Sequence, residues 1–422
     1  MGEGDVIRVL IPLLALLAAC TTPIDDEART GRGPITFVDG RDTSAGGQVA
    51  KMVARWNESA GLDEQVDFVQ MPSSTDAHRA QLAARAQDLV GVPASPDCYD
   101  VMAVDVVWTA EFAAAGHLEP LDPDDFGADR MLPQAVEAAM SPADEARSPE
   151  ERKLWAVPWR TDTGFLYYRK DVLDQEGLEP PTTWDDLRWQ ATEVARRHGL
   201  EGYVGQFRRY EGLIVNAAEA IWAHDGDLDQ PDAPGTKAGV RALAEGIGQG
   251  WIPRAALDYD ENASLDEFKA GRALFMRNWP YAGPVLDGTD SAVAGRWAKT
   301  TLPGAGALGG WNLAVSRCSA HQQTAREFIR FVVGDANQRL MFERAGFAPT
   351  STALYRDPEL EADLAPLWES LRTARARPTS PHYDELTSVM QENLHHALGK
   401  PESVDRSLDR LADELAKAEE GR

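Results

Sequence analysis

The run from Asp100 to Phe112, DVMAVDVVWTAEF, limits the possible folds of this 422-residue chain more than any other stretch. Its first half is almost continuously apolar and rich in Val. That is the pattern of a strand covered on both faces, as in α/β sheets flanked by helices. A helix-like stretch from Thr109 to Gly116 follows, so Asp105, Trp108 and Glu111 gather at a strand–helix junction. A bare carboxylate buried there is costly unless it is partnered. Open α/β sheets bind ligands outside the carboxyl ends of their strands. An acid beside an indole in such a place suits a sugar: hydroxyls meet the carboxylate and the apolar ring face meets the aromatic. A simpler reading has Asp105 capping the next helix and Trp108 in the core. On this stretch alone both readings stand.

The βα alternation recurs upstream. Ile35 to Val38 reads as a strand, Asp39 to Gly47 as a polar Gly-rich loop and Gln48 to Asn57 as a helix. Val66 to Gln70 and Asp76 to Leu89 repeat the pair, which makes this region an α/β lobe. The loop lacks Gly-Lys-Ser/Thr and GxGxxG, so it is a poor phosphate cradle. It can instead offer Asp42, Thr43 and backbone N–H groups to a neutral polar ligand.

Further on, Asp122 to Lys153 is acidic and Pro-containing, a plausible connection between lobes. Leu154 to Arg169 reads as two strands around a polar turn. Thr183 is placed to cap a helix with acids in its first turn. Tyr210-Glu211-Gly212 precedes a helix reaching Trp222. A strand from Arg272 runs into Asn278-Trp279-Pro280-Tyr281, and Gly309 to Ser316 is another. A chain of this length exceeds one ordinary core and is expected to form two lobes or more.

The net charge of −26 argues against nucleic-acid binding, which needs basic patches to displace counterions. No membrane-spanning run follows the N-terminus. Residues 1–19 are expected to be a signal peptide: Val9 to Ala19 is a short apolar core ending in small residues. Leu17-Ala18-Ala19-Cys20 looks like a bacterial lipobox, which implies cleavage before Cys20, lipid on its thiol and a tether over 20–34. Glu3 and Asp5 stand where positive charge is expected, and a start near Val6 would leave only Arg8 ahead of the apolar core. With Cys20 lipidated, Cys98 and Cys318 remain, either as a disulfide in an exported compartment or as two buried thiols.

Most chemistries find no motif. The eight His are scattered without HExxH, and His395-His396 cannot share one helix face. Asp258 to Asn262 hints at a calcium loop, but Ala263 and Lys269 stand where the central Gly and closing Glu belong. There is no GxSxG. Asp105, Asp162 and Glu261 could include a glycosidase acid and nucleophile, so a secreted glycoside hydrolase is one reading. Aromatics are the stronger signal: Trp108, Trp159, Trp279, Tyr281 and Trp311 all fall at or near strand ends, where several can line one cleft.

Several segments in a fixed order then carry a resemblance. They are Pro96-Asp97 leading into the strand that ends at Asp105-Val106-Val107-Trp108; Tyr168 to Leu173; Pro180 to Leu187; Phe268 to Phe275; Phe328 to Phe331; and Ser403 to Leu408. In this order the chain resembles the extracellular solute-binding proteins of ABC sugar importers, of maltose/trehalose type. Met102 to Phe112, Gly310 to Val315 and Arg377-Pro378 are most similar to the actinobacterial trehalose-binding lipoproteins.

The resemblance implies an α/β, periplasmic-binding-protein-like fold: two α/β lobes joined by a hinge, with the ligand cleft between them. It places 35–118 and 309–347 in the N-terminal lobe, and 119–308 and 348–422 in the C-terminal lobe. It implies a ligand set of Asp105, Asp162, Glu261, Trp279, Gly310, Trp311 and Arg377, with Asp42, Thr43, Tyr210 and Glu211 as further walls. Asp162 stands where trehalose binders tend to have Asn, and Trp311 where an aliphatic residue is common, so a different α-linked disaccharide or a modified sugar is open. The topology implies that Cys98 and Cys318 meet in a disulfide.

Function is then expected to be capture of a disaccharide or short oligosaccharide outside the cell by a lipid-anchored monomer and delivery to the transmembrane subunits of a permease, with no cofactor and no chemistry on the ligand. A secreted glycoside hydrolase using paired carboxylates and a carbohydrate sensor lipoprotein without transport are the alternatives.

Overall fold

A computed structural model describes residues 31–419, apart from 43, 45, 93 and 143–151. The expected leader, Cys20 and Thr43 lie outside the described residues.

The chain begins with the alternation read from sequence: β1 (Ile35–Asp39), α1 (Gln48–Ser59), β2 (Val66–Gln70), α2 (Thr75–Asp88), β3 (Val101–Asp105) and the short α3 (Thr109–Ala114). In α1, Val49, Met52, Val53 and Trp56 recur every three or four residues and form the buried face. β1 pairs in parallel with β2 on one side and β3 on the other. All five residues of β3 are buried, as its apolar run requires.

The stretch from Leu154 to Arg169 holds two strands, as read, and they do not pair with each other. β4 (Val157–Thr163) joins the first sheet and β5 (Phe165–Arg169) starts a second, so Gly164 marks a crossover between lobes. Two apolar runs with a polar break read alike whether they pair with each other or with different partners. The second sheet continues through β6 (Glu201–Val204), α4 (Glu211–Trp222), α5 (Glu261–Lys269), β7 (Ala273–Asn278) and β8 (Trp297–Thr301), with strand order β8-β5-β7-β6. α4 is buried along its whole length and forms the centre of this lobe.

The chain then crosses back. β9 (Leu308–Val315) runs antiparallel between β3 and β4 and completes the order β2-β1-β3-β9-β4. α6 (Gln322–Val333) covers this sheet with Phe328, whose ring lies 5.3 Å from Phe37 and 5.5 Å from Trp56. α7 (Tyr383–Gly399) and α8 (Val404–Ala418) close the second lobe, where Leu394 and Leu408 share a core with Leu213 of α4. Among the described residues no helix is long and apolar enough to cross a membrane.

Sheet pairing shifts the expected lobe boundary. Leu121, Phe126, Leu154 and Trp159 are buried in one apolar cluster with Phe37 and Phe328, and β4 hydrogen-bonds to β9. The first lobe's packing therefore takes in residues beyond 119, β4 among them, while Leu132 and Ala135 pack with Phe165 and Tyr167 of the second sheet. The acidic stretch looked like a linker because its apolar residues are sparse, yet those few are the ones buried.

The antiparallel β3–β9 pair also sets the cysteines. Cys98 precedes β3 and Cys318 follows β9; the two form a disulfide with Cα atoms 5.8 Å apart, across a sequence separation of 220.

Candidate ligand-binding cleft

β1 and β3 both end at a cleft between the sheets, as parallel strands in such folds do. The cleft encloses about 1130 Å³, its open mouth included. Asp105 Oδ1 accepts the Val107 N–H at 3.2 Å and Arg377 Nη2 at 3.1 Å; it does not cap α3, whose N-cap position is Trp108. Trp108 is 2% exposed and packs beneath the cleft, edge-on to Trp311 at 5.5 Å. Trp159 is likewise in the core, at 2%.

Trp311 is half-buried in the first lobe's wall. Its ring stacks on His78 at 5.2 Å and 15°, and the Arg160 guanidinium lies 5.4 Å from it. Arg160 pairs with Asp39 at 3.2 Å. The local geometry comes from a bulge: opposite Trp311 and Asn312 stand Arg160 and Pro158, so Trp159 is the extra residue on β4. Gly310 has φ 140°, and a Cβ there would sit 2.4 Å from the Arg160 carbonyl oxygen; only glycine fits.

The second lobe contributes Glu261 and Trp279. Asp260 caps α5 by accepting from Asn262 N at 3.1 Å and Ala263 N at 3.0 Å, which is the role of the stretch that hinted at a calcium loop. The cap places Glu261 in the first turn, where its Oε2 accepts the Tyr210 hydroxyl at 2.8 Å. Tyr210 is 2% exposed and is absent from the cleft lining; it holds Glu261 instead. Trp279 follows β7, with the Arg277 guanidinium 3.9 Å from its ring centre on one side.

Glu211 begins α4 and accepts from Arg377, from the Tyr383 hydroxyl at 2.7 Å and from the Thr387 hydroxyl at 2.7 Å. Arg377 thus ties Asp105 of the first lobe to Glu211 of the second. Two more contacts cross between lobes: the Glu211 N–H donates to Asp76 at 3.2 Å, and Arg79 pairs with Asp384 at 2.6 Å.

The expected site residues Asp42, Asp105, Asp162, Glu211, Glu261, Trp279, Gly310, Trp311 and Arg377 all line this one cleft. Asp42 is largely spent on α1, accepting Val49 N at 2.9 Å and Ser44 N at 3.1 Å. The sequence reading missed His78, Arg160 and Phe347. Pro72 sits just after β2 and His78 in the first turn of α2 that follows, so the strand-end rule that singled out Asp105 points to this corner too.

Charge in the cleft is uneven. Arg160 serves Asp39, Arg277 serves Glu219, and Arg377 serves Asp105 and Glu211. Burial opposes the Arg377 charge, but the two carboxylates outweigh it and raise its pKa above the ordinary value. Burial, with Arg160 nearby, pushes His78 down to about 3, so the ring is neutral. Asp162 is pushed up to about 6 by burial, against the pull of Arg160 and Arg277. Burial also raises Glu261, with the Tyr210 hydrogen bond working the other way. Among the described residues neither Asp162 nor Glu261 has a cation at ion-pair distance. The cleft therefore offers acceptors and an aromatic face; of the guanidinium groups lining it, Arg160 and Arg377 are engaged by carboxylates, while Arg41 is exposed and has no ion-pair partner among the described residues. Among the described residues no group of His, Cys, Asp and Glu is placed to hold a metal ion.

Comparison with known proteins agrees with this geometry. The bacterial extracellular solute-binding protein family matches residues 41–339. A probable ABC transporter-binding protein of Deinococcus radiodurans is 30% identical over 391 residues, covering 86% of this chain and 88% of the relative. A maltotriose-binding protein of Pyrococcus abyssi is 26% identical, covering 85% of this chain and 77% of the relative. The maltose-bound structure of T. maritima MalE3 superposes with a TM-score of 0.82 at 30% identity, over 91% of this chain and 99% of that one, so the two-lobed α/β fold is shared. The chain belongs to the bacterial extracellular solute-binding protein family, a family of binding proteins rather than enzymes.

Proposed function

We propose that this protein captures an α-linked disaccharide or short oligosaccharide of maltose or trehalose type and delivers it to the membrane permease of an ABC importer. One observation carries the reading. Trp279, half-buried with Arg277 over one side of its ring, lines the same cleft as Asp162 and Glu261, two carboxylates with no cation at ion-pair distance among the described residues. A sugar supplies both complements: C–H faces for the indole and hydroxyl donors for the acids. The maltotriose-binding and maltose-bound relatives support the same ligand class.

Asp105, Glu261 and Asp162 accept ligand hydroxyls in this account, Trp279 stacks, and Trp311 walls the first-lobe side. Arg377 fixes Asp105 more than it touches ligand. Arg160 and Arg377 are engaged, and Asp162 and Glu261 would repel an anion, so sugar phosphates and uronic acids are poor ligands even though Arg41 lines the cleft without an ion-pair partner among the described residues. Cys20 carries the lipid that holds the protein at the outer face of the membrane; Cys20→Ser is expected to release it into the medium.

A thermal-shift screen tests the ligand class, since a ligand bound only by the folded form raises apparent stability by about 2.7 kcal/mol at a hundred times its Kd. Maltose, trehalose or maltotriose should raise the melting temperature, and glucose 6-phosphate should not. A panel in which only the phosphate shifts the melt overturns the reading.

A further inference from the structure

We propose that the buried Arg277–Glu219 pair is a positioning device that couples the Trp279 platform to both lobe crossovers, so that ligand on the indole is felt at the hinge. This rests on the ligand class proposed above only for the choice of probe.

Three observations converge on the pair. Arg277 is 0% exposed and bonds Glu219 twice, Nε to Oε2 at 2.8 Å and Nη2 to Oε1 at 2.7 Å. Its guanidinium lies 3.9 Å from the centre of the Trp279 ring, so the ring rests on a fixed cation. The same Glu219 Oε1 accepts the Ala307 N–H at 3.0 Å, and Ala307 lies in the second crossover, just before β9.

The first crossover meets the pair too. A Cβ on Gly164 would fall 2.5 Å from Glu219 Oε1 and 2.7 Å from Arg277 Nη2. Gly164 therefore lets the ion pair lie against the backbone between β4 and β5. Trp279 also reaches the first lobe directly, since a Cβ on Gly309 would meet its ring at 2.7 Å. One carboxylate thus links the cation under the platform to the backbone where the lobes join.

An ion pair placed for stability alone would not need these contacts, because apolar residues of similar volume replace buried pairs at little cost. The pair's location gives it a second consequence. If Trp279 moves when sugar stacks on it, Arg277 moves, and Glu219 carries the shift to Ala307. Glu219→Gln keeps an acceptor for the Ala307 N–H but strips Arg277 of its counter-charge.

The test is amide hydrogen exchange in residues 302–308 of the full chain, with and without maltose, in the wild type and in Glu219→Gln. Maltose is expected to slow exchange there at least tenfold in the wild type and less than twofold in the variant at saturating sugar. Exchange in α8, remote from the pair, reports whether the variant is folded. Equal slowing in both proteins overturns the proposal. If the wild type does not bind maltose, the ligand reading fails first, and the coupling is judged without sugar: Trp279→Ala should change exchange in 302–308 at least tenfold in the wild-type background and less than twofold in the Glu219→Gln background, and equal changes overturn it. Should Glu219→Gln not fold, Arg277→Lys keeps the charge but loses the planar fork that reaches both carboxylate oxygens from under the ring, and the same outcomes decide.

Discussion

Asp162 and Trp279 are the two side chains on which recognition turns in this account, and they differ in kind. Trp279 supplies area and a face; Trp279→Ala is expected to weaken sugar binding about tenfold or more, about 1.4 kcal/mol, in a calorimetric titration. Asp162 supplies an acceptor whose ionisation falls within reach of ordinary buffers. Its folded-state pKa is raised to about 6, so without ligand the fold gains from its protonation at low pH and loses that contribution as pH rises through about 6. Ligand hydroxyls donating to the carboxylate favour the ionised form, so affinity runs the other way and rises across the same window. Affinity is expected to fall several-fold from pH 7.5 to pH 5, and Asp162→Asn is expected to bind more weakly and to lose the step near pH 6. An unchanged pH profile in that variant would remove Asp162 from the site.

At this scale the sequence was legible where residue type and position both carried meaning. Asp105 and Trp279 fall at strand ends, and the rule for α/β sheets finds them. Tyr210 was misplaced because a Tyr beside a cleft residue reads the same whether it faces ligand or holds the residue that does. Arg160 was missed because a bulge, invisible in the sequence, turns it over Trp311.

Elements are specified by simpler signals. Thr183 caps its helix as read, accepting from Asp186 N at 3.1 Å. The acidic run around Asp260 proved to be another cap, since Asp and Asn serve helix starts and calcium loops alike. The first lobe rests on α6 meeting the sheet through Phe328, which is fully buried. Phe328→Ala is expected to cost about 3–5 kcal/mol in denaturant unfolding, the range for emptying an aromatic site. The disulfide holds β3 to β9 at the end away from the cleft. Replacing both Cys98 and Cys318 with Ser is expected to lower stability by about 2–4 kcal/mol, with sugar affinity little changed. A variant that keeps its stability but loses binding would place the bridge in the site's machinery instead.

The whole molecule is two lobes drawn together over a shared cleft. The sequence pattern showed two strands over Leu154–Arg169 without saying what each pairs with, and it set a lobe boundary near residue 119. Which strands pair across a crossover is settled by tertiary packing, and local pattern does not record it. The resemblance supplied what the pattern could not, namely repeated crossings and the meeting of Cys98 with Cys318. Closure is visible in Arg377, which bridges Asp105 and Glu211 from opposite lobes. Arg377→Gln would leave those two acids facing each other, and small-angle scattering should then report a more open ligand-free molecule.

The most direct test of the central claim is a calorimetric titration of the protein with maltose, trehalose and maltotriose, run beside Trp279→Ala. Saturable binding of at least one of these sugars at one site per chain, weakened about tenfold or more in the variant, is the predicted result. Absence of binding to all three, or equal affinity in the variant, would contradict it.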